Sequence, residues 1–180
     1  MIINKKKIYS RFILIIFFSV IISEDVLPLT QRYFHREDMG YNYSRGTYLI
    51  VLADASLESI LQDESTGNFI HFKKTQGYKV ETIPIDLPGG SSANLRQYLQ
   101  WYIEQDSLLE YVLLIGDVTG PFTIPSYTIP SYNENDMDVT DYPYTFFEND
   151  DILNPKFFIG RWPIRSQNHL IKMKKRSMQY

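Results

Sequence analysis

Two carboxylates and one guanidinium stand where this chain would meet a ligand. Asp117 closes the apolar run Tyr111-Val-Leu-Leu-Ile-Gly-Asp117, Arg161 closes a second run, Phe157-Phe-Ile-Gly-Arg161, and Asp141 lies between them in Thr140-Asp-Tyr-Pro-Tyr144. Apolar runs bounded by turn residues read as strands buried on both faces, as parallel sheets require. Open parallel sheets meet their ligands beyond the ends of such strands. A carboxylate at that edge holds a cation through charge-assisted hydrogen bonds, and a guanidinium holds an anion. Asp54, Asp86 and Asp117 each end a predicted strand, where turn capping alone also accounts for them. Asp141 has no periodic helix after it, and its plain alternative is an Asx-turn that orders a loop.

Nucleophilic chemistry has no local support. The 180 residues contain no cysteine, which excludes disulfides, thiolate metal sites and a cysteine nucleophile within the chain. The signatures of serine hydrolases, zinc peptidases, P-loop NTPases and dinucleotide-binding folds are missing too. His71 falls at a lysine-rich helix end and His169 in the last helix, neither beside a nucleophile in sequence. The catalytic and metal sets read from the residues are therefore empty.

The elements that would position the strand-end residues follow from periodicity. Predicted strands cover residues 47–53, 79–85, 111–116 and 156–160. Between the first two, Leu57, Ile60 and Leu61 repeat at helical spacing, and Phe69, Ile70 and Phe72 continue the face beyond a break at Gly67-Asn68. Ser91 or Ser92 caps the next helix, whose core face is Leu95, Tyr98, Leu99, Tyr102 and Ile103. Ser166 caps a basic final helix carrying Leu170, Ile171 and Met173. Successive β-α-β crossovers imply an α/β fold in three layers, a doubly wound parallel sheet with flanking helices. Between Asp117 and Asp141 the sequence Thr123-Ile-Pro-Ser-Tyr127 is repeated at once as Thr128-Ile-Pro-Ser-Tyr132. It is too short for a solenoid and reads as a duplication in a surface loop.

Composition places the chain among ordinary globular proteins, with 44% hydrophobic and 22% charged residues. A net charge of −3 gives no basic footprint for nucleic acid. At the N-terminus, Lys5-Lys-Lys7 and Arg11 precede an apolar run from Phe12 to Ile22. That run is too short to span a bilayer, which needs about 20 residues. It suits a secretory signal over residues 1–23, or else an anchor, and predicts a secreted, extracytoplasmic or cell-surface protein that meets membrane only there. Residues 24–46 read as a linker or the end of a pro-segment, and 47–180 as the folded unit. Asn42-Tyr-Ser44 is a glycosylation sequon. His35, Glu37 and Asp38 fit no standard metal spacing. The acidic stretches 133–138 and 148–151 are oxygen-rich enough for calcium but lack EF-hand spacing, so solvated turns are expected and no cofactor is required.

The order of these motifs resembles the first catalytic subdomain of the gingipain-type cysteine endopeptidases, peptidase family C25. The resemblance rests on Tyr48-Leu-Ile-Val-Leu-Ala-Asp54, Lys74-Thr-Gln-Gly-Tyr-Lys-Val80, Tyr111–Val118, Thr140–Tyr144 and Phe157–Arg165, and covers roughly residues 46–180. It implies a caspase/gingipain-like sheet and proteolysis of protein or peptide substrates by a His–Cys pair. In the family that pair lies downstream of the Gly-Arg strand, so the resemblance implies a truncated, N-terminal fragment that is inactive alone. It also implies a substrate-binding role for Asp141, between apolar walls from Tyr142 and Tyr144. The rival reading is a non-catalytic extracytoplasmic module that binds a ligand or partner at the Asp117/Asp141 edge.

Overall fold

The central strands of the main sheet are apolar runs, while the edge strand Lys79–Pro84 is mixed in character. In the computed structural model, which describes residues 45–132, 136–148 and 150–179, the chain begins with β1 (Thr47–Leu52). There follow α1 (Leu57–Gln62), a 3-10 turn over Glu64–Thr66, α2 (Phe69–Thr75) and β2 (Lys79–Pro84). Helix α3 (Ser92–Gln105) leads into β3 (Leu109–Ile115). Next come β4 (Tyr127–Pro130), β5 (Met137–Thr140), a 3-10 turn over Tyr142–Thr145, β6 (Phe158–Trp162) and α4 (Gln167–Ser177). The sheet order is β2-β1-β3-β6 and all of its pairings are parallel.

Strand alternation divides the core in two. Leu49, Val51, Val112 and Leu114 point to the face covered by α3, where Leu95, Leu99 and Tyr102 meet Tyr144 and Phe157. Ile50, Leu52, Leu113 and Ile115 point to the other face, where Leu57 and Leu61 of α1, Phe69 and Ile70 of α2, and Leu170 of α4 cover them. Helices on both faces make the predicted three layers. Serine caps place two of the helices: Ser91 accepts from the Asn94 amide and Ser166 from the His169 amide. Asn68 does the same for α2 through the His71 amide, so His71 lies in the first turn of that helix and not at its lysine-rich end.

Toward the starts of the strands, aromatic rungs cross the second face. Tyr78 meets Tyr48 edge-on, Tyr48 stacks on Tyr111 at 5.7 Å, and Tyr111 stacks on Phe158 at 5.1 Å. Lys73 lies 5.0 Å from the Tyr48 ring centroid, and burial lowers its pKa. One polar group in this half was not legible as core. Lys174 of α4 is fully buried, and its ammonium donates to the Ile60 carbonyl at 2.5 Å and Thr66 Oγ1 at 2.6 Å. It ties the last carbonyls of α1 to α4, which is the way a buried cation is tolerated.

Two expectations change. The stretch after Tyr127 is not plain loop: β4 and β5 form an antiparallel pair with Tyr127 opposite Thr140 and Pro130 opposite Met137. Alternating Tyr, Ile, Met and Val suit such a ladder. The final strand starts later than predicted, at Phe158, because Phe157 is buried off the strand and the Lys156 amide is used by the Thr145 carbonyl. The signal-or-anchor reading of residues 1–23, the cluster at 35–38 and the sequon lie outside the described residues. Among the described residues no helix is long and apolar enough to cross a membrane. The end of the expected linker is already stitched to the fold, with the Arg45 amide on the Gly77 carbonyl and the Gly46 amide on Glu110.

Candidate functional site

Arg161 stands at the end of β6, opposite Leu114 of β3, and organises everything beyond the strand ends. A guanidinium has five N–H donors in one plane. All five are used. Nε and Nη2 grip the two carboxylate oxygens of Asp141 at 2.8 and 2.7 Å. Nη1 donates to the carbonyls of Gly116 at 3.0 Å and Ile124 at 2.9 Å. The second Nη2 proton reaches the Pro125 carbonyl at 3.3 Å. The side chains of Arg161 and Asp141 are only 12% and 18% exposed, so the pair is largely shielded from screening by solvent. Lysine has neither the fork nor the donor count to replace this arginine.

The groups that Arg161 gathers come from three separate segments. The loop after β3 turns sharply, with Gly120 at φ +96°. It returns so that the Asp117 amide donates to Phe122 and the Ile124 amide donates to Asp117. Ile124 is then completely buried against the sheet. A Cβ on Gly116 would sit 2.9 Å from the Ile124 side chain and 2.9 Å from Ala53, so glycine at the end of β3 is what lets Ile124 approach. Ser126 Oγ lies 2.7 Å from both Asp141 Oδ1 and the Thr140 carbonyl. Tyr144 is fully buried, packs edge-on against Tyr127 at 5.2 Å and donates its hydroxyl to the Pro125 carbonyl. Burial pushes the Tyr144 phenol well above its ordinary pKa.

Asp117 is drawn into the same edge from the other side. Its Oδ2 accepts from Arg165 at 2.8 Å and its Oδ1 from the Val118 amide at 2.8 Å. The hydrogen bond from Arg165, then the Val118 amide, holds this carboxyl below the usual carboxylate range. Asp117 thus caps no helix. Asp54 behaves as a turn aspartate, accepting from the Ser56 amide. The acidic loop is likewise built into turns: Asp150 accepts from the Phe147 amide and pairs with Lys156, and Asp151 accepts from the Leu153 amide. Among the described residues no three His, Cys, Asp or Glu are grouped to hold a metal ion.

The structure therefore brings together all three residues that sequence singled out, but as partners of the fold. Asp141 faces an internal arginine with both oxygens engaged, Oδ1 by Arg161 and Ser126 and Oδ2 by Arg161. Tyr144 is core, not an open wall, while Tyr142 is 43% exposed and donates to the Ile152 carbonyl. Arg165 and Ser126 were missed. The signal for Arg165 was weak, one more basic residue before a basic helix; Ser126 was hidden inside the repeat. His71 and His169 are both exposed.

The model of peptidase family C25 matches residues 42–180. The chain belongs to peptidase family C25. Among solved structures it is similar to gingipain R (RGPB), an Arg-specific cysteine proteinase, at 22% identity and a TM-score of 0.61 over 78% of this chain. It is also similar to the complex of the Porphyromonas gingivalis RgpB pro- and mature domains, at 23% identity and a TM-score of 0.59 over 74% of this chain. In each case the match spans 29% of the other chain's length. No curated protein matches the sequence significantly. The C25 assignment and the parallel α/β architecture agree with the family and fold expected from the strand-end motifs.

Proposed function

We propose that this C25 chain forms the N-terminal part of the catalytic domain of a gingipain-like cysteine endopeptidase, acting on protein or peptide substrates. The observation that carries the reading is the family match over residues 42–180 in a chain without cysteine. The thiol nucleophile and its histidine are then contributed by sequence other than these 180 residues. What this chain supplies is a rigid edge. Three loop segments are clamped at the C-terminal ends of β3 and β6 by one saturated guanidinium, and catalysis by positioned groups depends on such pre-set support. Within this reading Asp141 acts as a positioning residue through Arg161. In selecting a basic P1 side chain, Asp141 would share its carboxylate between the substrate cation and that arginine or exchange one for the other. The basic-then-apolar N-terminus supports an extracytoplasmic location.

The test is to express the locus with whatever reading frame follows, beside the 180-residue chain alone. Both are assayed on matched peptides with Arg, Lys or Leu at P1, with and without a thiol-alkylating inhibitor. The continuous product is expected to show inhibitor-sensitive hydrolysis and the chain alone none. Thiol-sensitive hydrolysis by the chain alone, or none by a product that carries His and Cys downstream, overturns the proposal. In the active product, Asp141→Asn is expected to lower kcat/KM on all three peptides alike. A loss confined to Arg and Lys, on the order of 10²-fold for a charge-assisted bond, would instead assign it to substrate selection.

A further inference from the structure

One sequence feature is left unexplained by the peptidase reading. The pentapeptide Thr-Ile-Pro-Ser-Tyr occurs twice without a spacer, at 123–127 and 128–132. The first copy fills a groove at the sheet edge with Ile124 to Tyr127, and exposed Thr123 closes the loop before it. Thr123 donates its hydroxyl to the Gly120 carbonyl and forms a bridge with Asp117. Ile124 is fully buried, the Ile124 and Pro125 carbonyls accept from Arg161, Ser126 meets Asp141, and Tyr127 packs on Tyr144 and donates to the Ser92 carbonyl. The second copy makes the exposed part of strand β4, after Tyr127, and its exit. Ile129 is 47% exposed and Tyr132 wholly exposed, opposite a β5 strand whose Met137 and Val139 are themselves more than half exposed.

We propose that the two copies compete for the one groove, so that the chain exchanges between two registers five residues apart. The partners that recognise the first copy are Gly116, Asp141, Tyr144 and Arg161, and none of them belongs to the repeat. Whatever they offer Ile124, Pro125, Ser126 and Tyr127 they offer equally to Ile129, Pro130, Ser131 and Tyr132, because the residues are the same in the same order. Direct contacts in the groove therefore cancel, and the two registers differ only in what flanks the pentapeptide. In the second register the loop after Asp117 gains five residues. Each doubling of a flexible loop lowers the closed population by a factor of about three. The connection between the groove tyrosine and Thr140 shortens from 12 residues to 7, which dismantles the present β4–β5 register. A lone two-stranded ladder is only marginally stable in water, so neither change forbids the exchange. The consequence is a sheet edge with two loop lengths above the same clamp: a short strand-end loop with a long hairpin arm, or the reverse.

This inference does not depend on the peptidase reading, and its test uses the 180-residue chain without any activity assay. Four proteins are unfolded in urea: the parent, Ile124→Asp, Ile129→Asp and the double variant. With Ile129 half exposed, Ile129→Asp is expected to move the parent midpoint by no more than about 0.3 M. Ile124→Asp expels the first copy and is expected to leave a folded protein, because the second copy takes the groove. In that background Ile129→Asp must bury a carboxylate, and the midpoint is expected to fall by a further amount on the order of 1 M. If the aspartate at 124 prevents folding altogether, the milder alanine pair takes its place. The same cycle with Ile124→Ala and Ile129→Ala then decides it by its coupling. Equal effects of the 129 substitution in both backgrounds overturn the exchange, and so does a rescue that grows with protein concentration, since the spare peptide would then come from a second molecule.

Discussion

Thr123–Tyr127 and Thr128–Tyr132 are one peptide in two environments. In the first, isoleucine is core, serine completes the surroundings of a salt bridge, and tyrosine is half of an edge-on ring pair. In the second, isoleucine and tyrosine face solvent, and the serine amide is spent on the Asp136 carbonyl across the hairpin. Nothing within five residues decides between these outcomes. Arg161, downstream of both copies, makes a groove that accepts one copy at a time and offers each the same contacts. Local sequence sets what the peptide can do, and the lengths of chain that flank it set which copy does it.

The hardest way to break that difference is to remove the anchor. Arg161→Met is expected to destabilise the chain by about 3–5 kcal/mol, the usual cost of stripping one partner from a largely buried ion pair. Because the anchor belongs to the groove and not to the peptide, the second copy cannot repair the loss. Urea unfolding of the variant checks the magnitude. A fluorine label placed on Tyr127 or on Tyr132, one at a time, should show by NMR the two environments becoming equivalent. A variant within 1 kcal/mol of the parent would show that the five hydrogen bonds do not hold the edge.

A gentler change sharpens the comparison. Ile129→Ala is expected to alter stability by less than about 0.5 kcal/mol, as exposed positions do. Ile124→Ala in an Ile129→Asp background, where no spare isoleucine exists, is expected to cost about 2–5 kcal/mol. In the native background the cost of Ile124→Ala should be smaller, by the amount the second copy recovers. Equal costs at 124 and 129 would mean that the groove is not what separates the copies.

Much of the fold was legible because it rests on local periodicity. Leu95, Leu99 and Tyr102 are core because α3 repeats at 3.6 residues, and the four parallel strands follow from short apolar runs between helices. The break at Gly67-Asn68 was readable from turn chemistry, and the structure places Asn68 as the cap of α2. The edge was only half legible. Asp117, Asp141 and Arg161 could be named as strand-end charges, but their pairing depends on three-dimensional closure, which no spacing encodes. A carboxylate awaiting a ligand and one already holding an arginine are the same letter in the sequence. Lys174 was missed for a related reason. A lysine on a basic helix reads as solvated, and only the packing of α4 across α1 puts it against orphan carbonyls. The hairpin β4–β5 was hidden by the prolines and acidic residues that make it look like loop.

The smallest expected effect concerns the entry to the groove. Asp117 bridges to Thr123 through its backbone, while its carboxylate holds Arg165 and the Val118 amide. Its folded pKa is lowered relative to the unfolded chain, so the folded state binds the proton less tightly. Stability from this group is therefore fully present above the ordinary carboxylate value of about 3.9. It is lost as pH falls through the lowered folded value. Arg165 is 67% exposed, which makes the pair a surface bridge worth about 0.5 kcal/mol or less, and weaker still in salt. Asp117→Asn keeps an oxygen for the Val118 amide and removes both the charge and the oxygen that accepts from Arg165. At pH 7 the variant should lie within that small margin of the parent, and the two should converge as pH falls through the lowered folded value. Raising NaCl to about 1 M, where screening acts over roughly 3 Å, should close the gap at pH 7 as well. A gap that persists in acid and in salt would locate the contribution of Asp117 in its backbone bridge to the first pentapeptide. Entry to the groove would then be set by the chain path and not by charge.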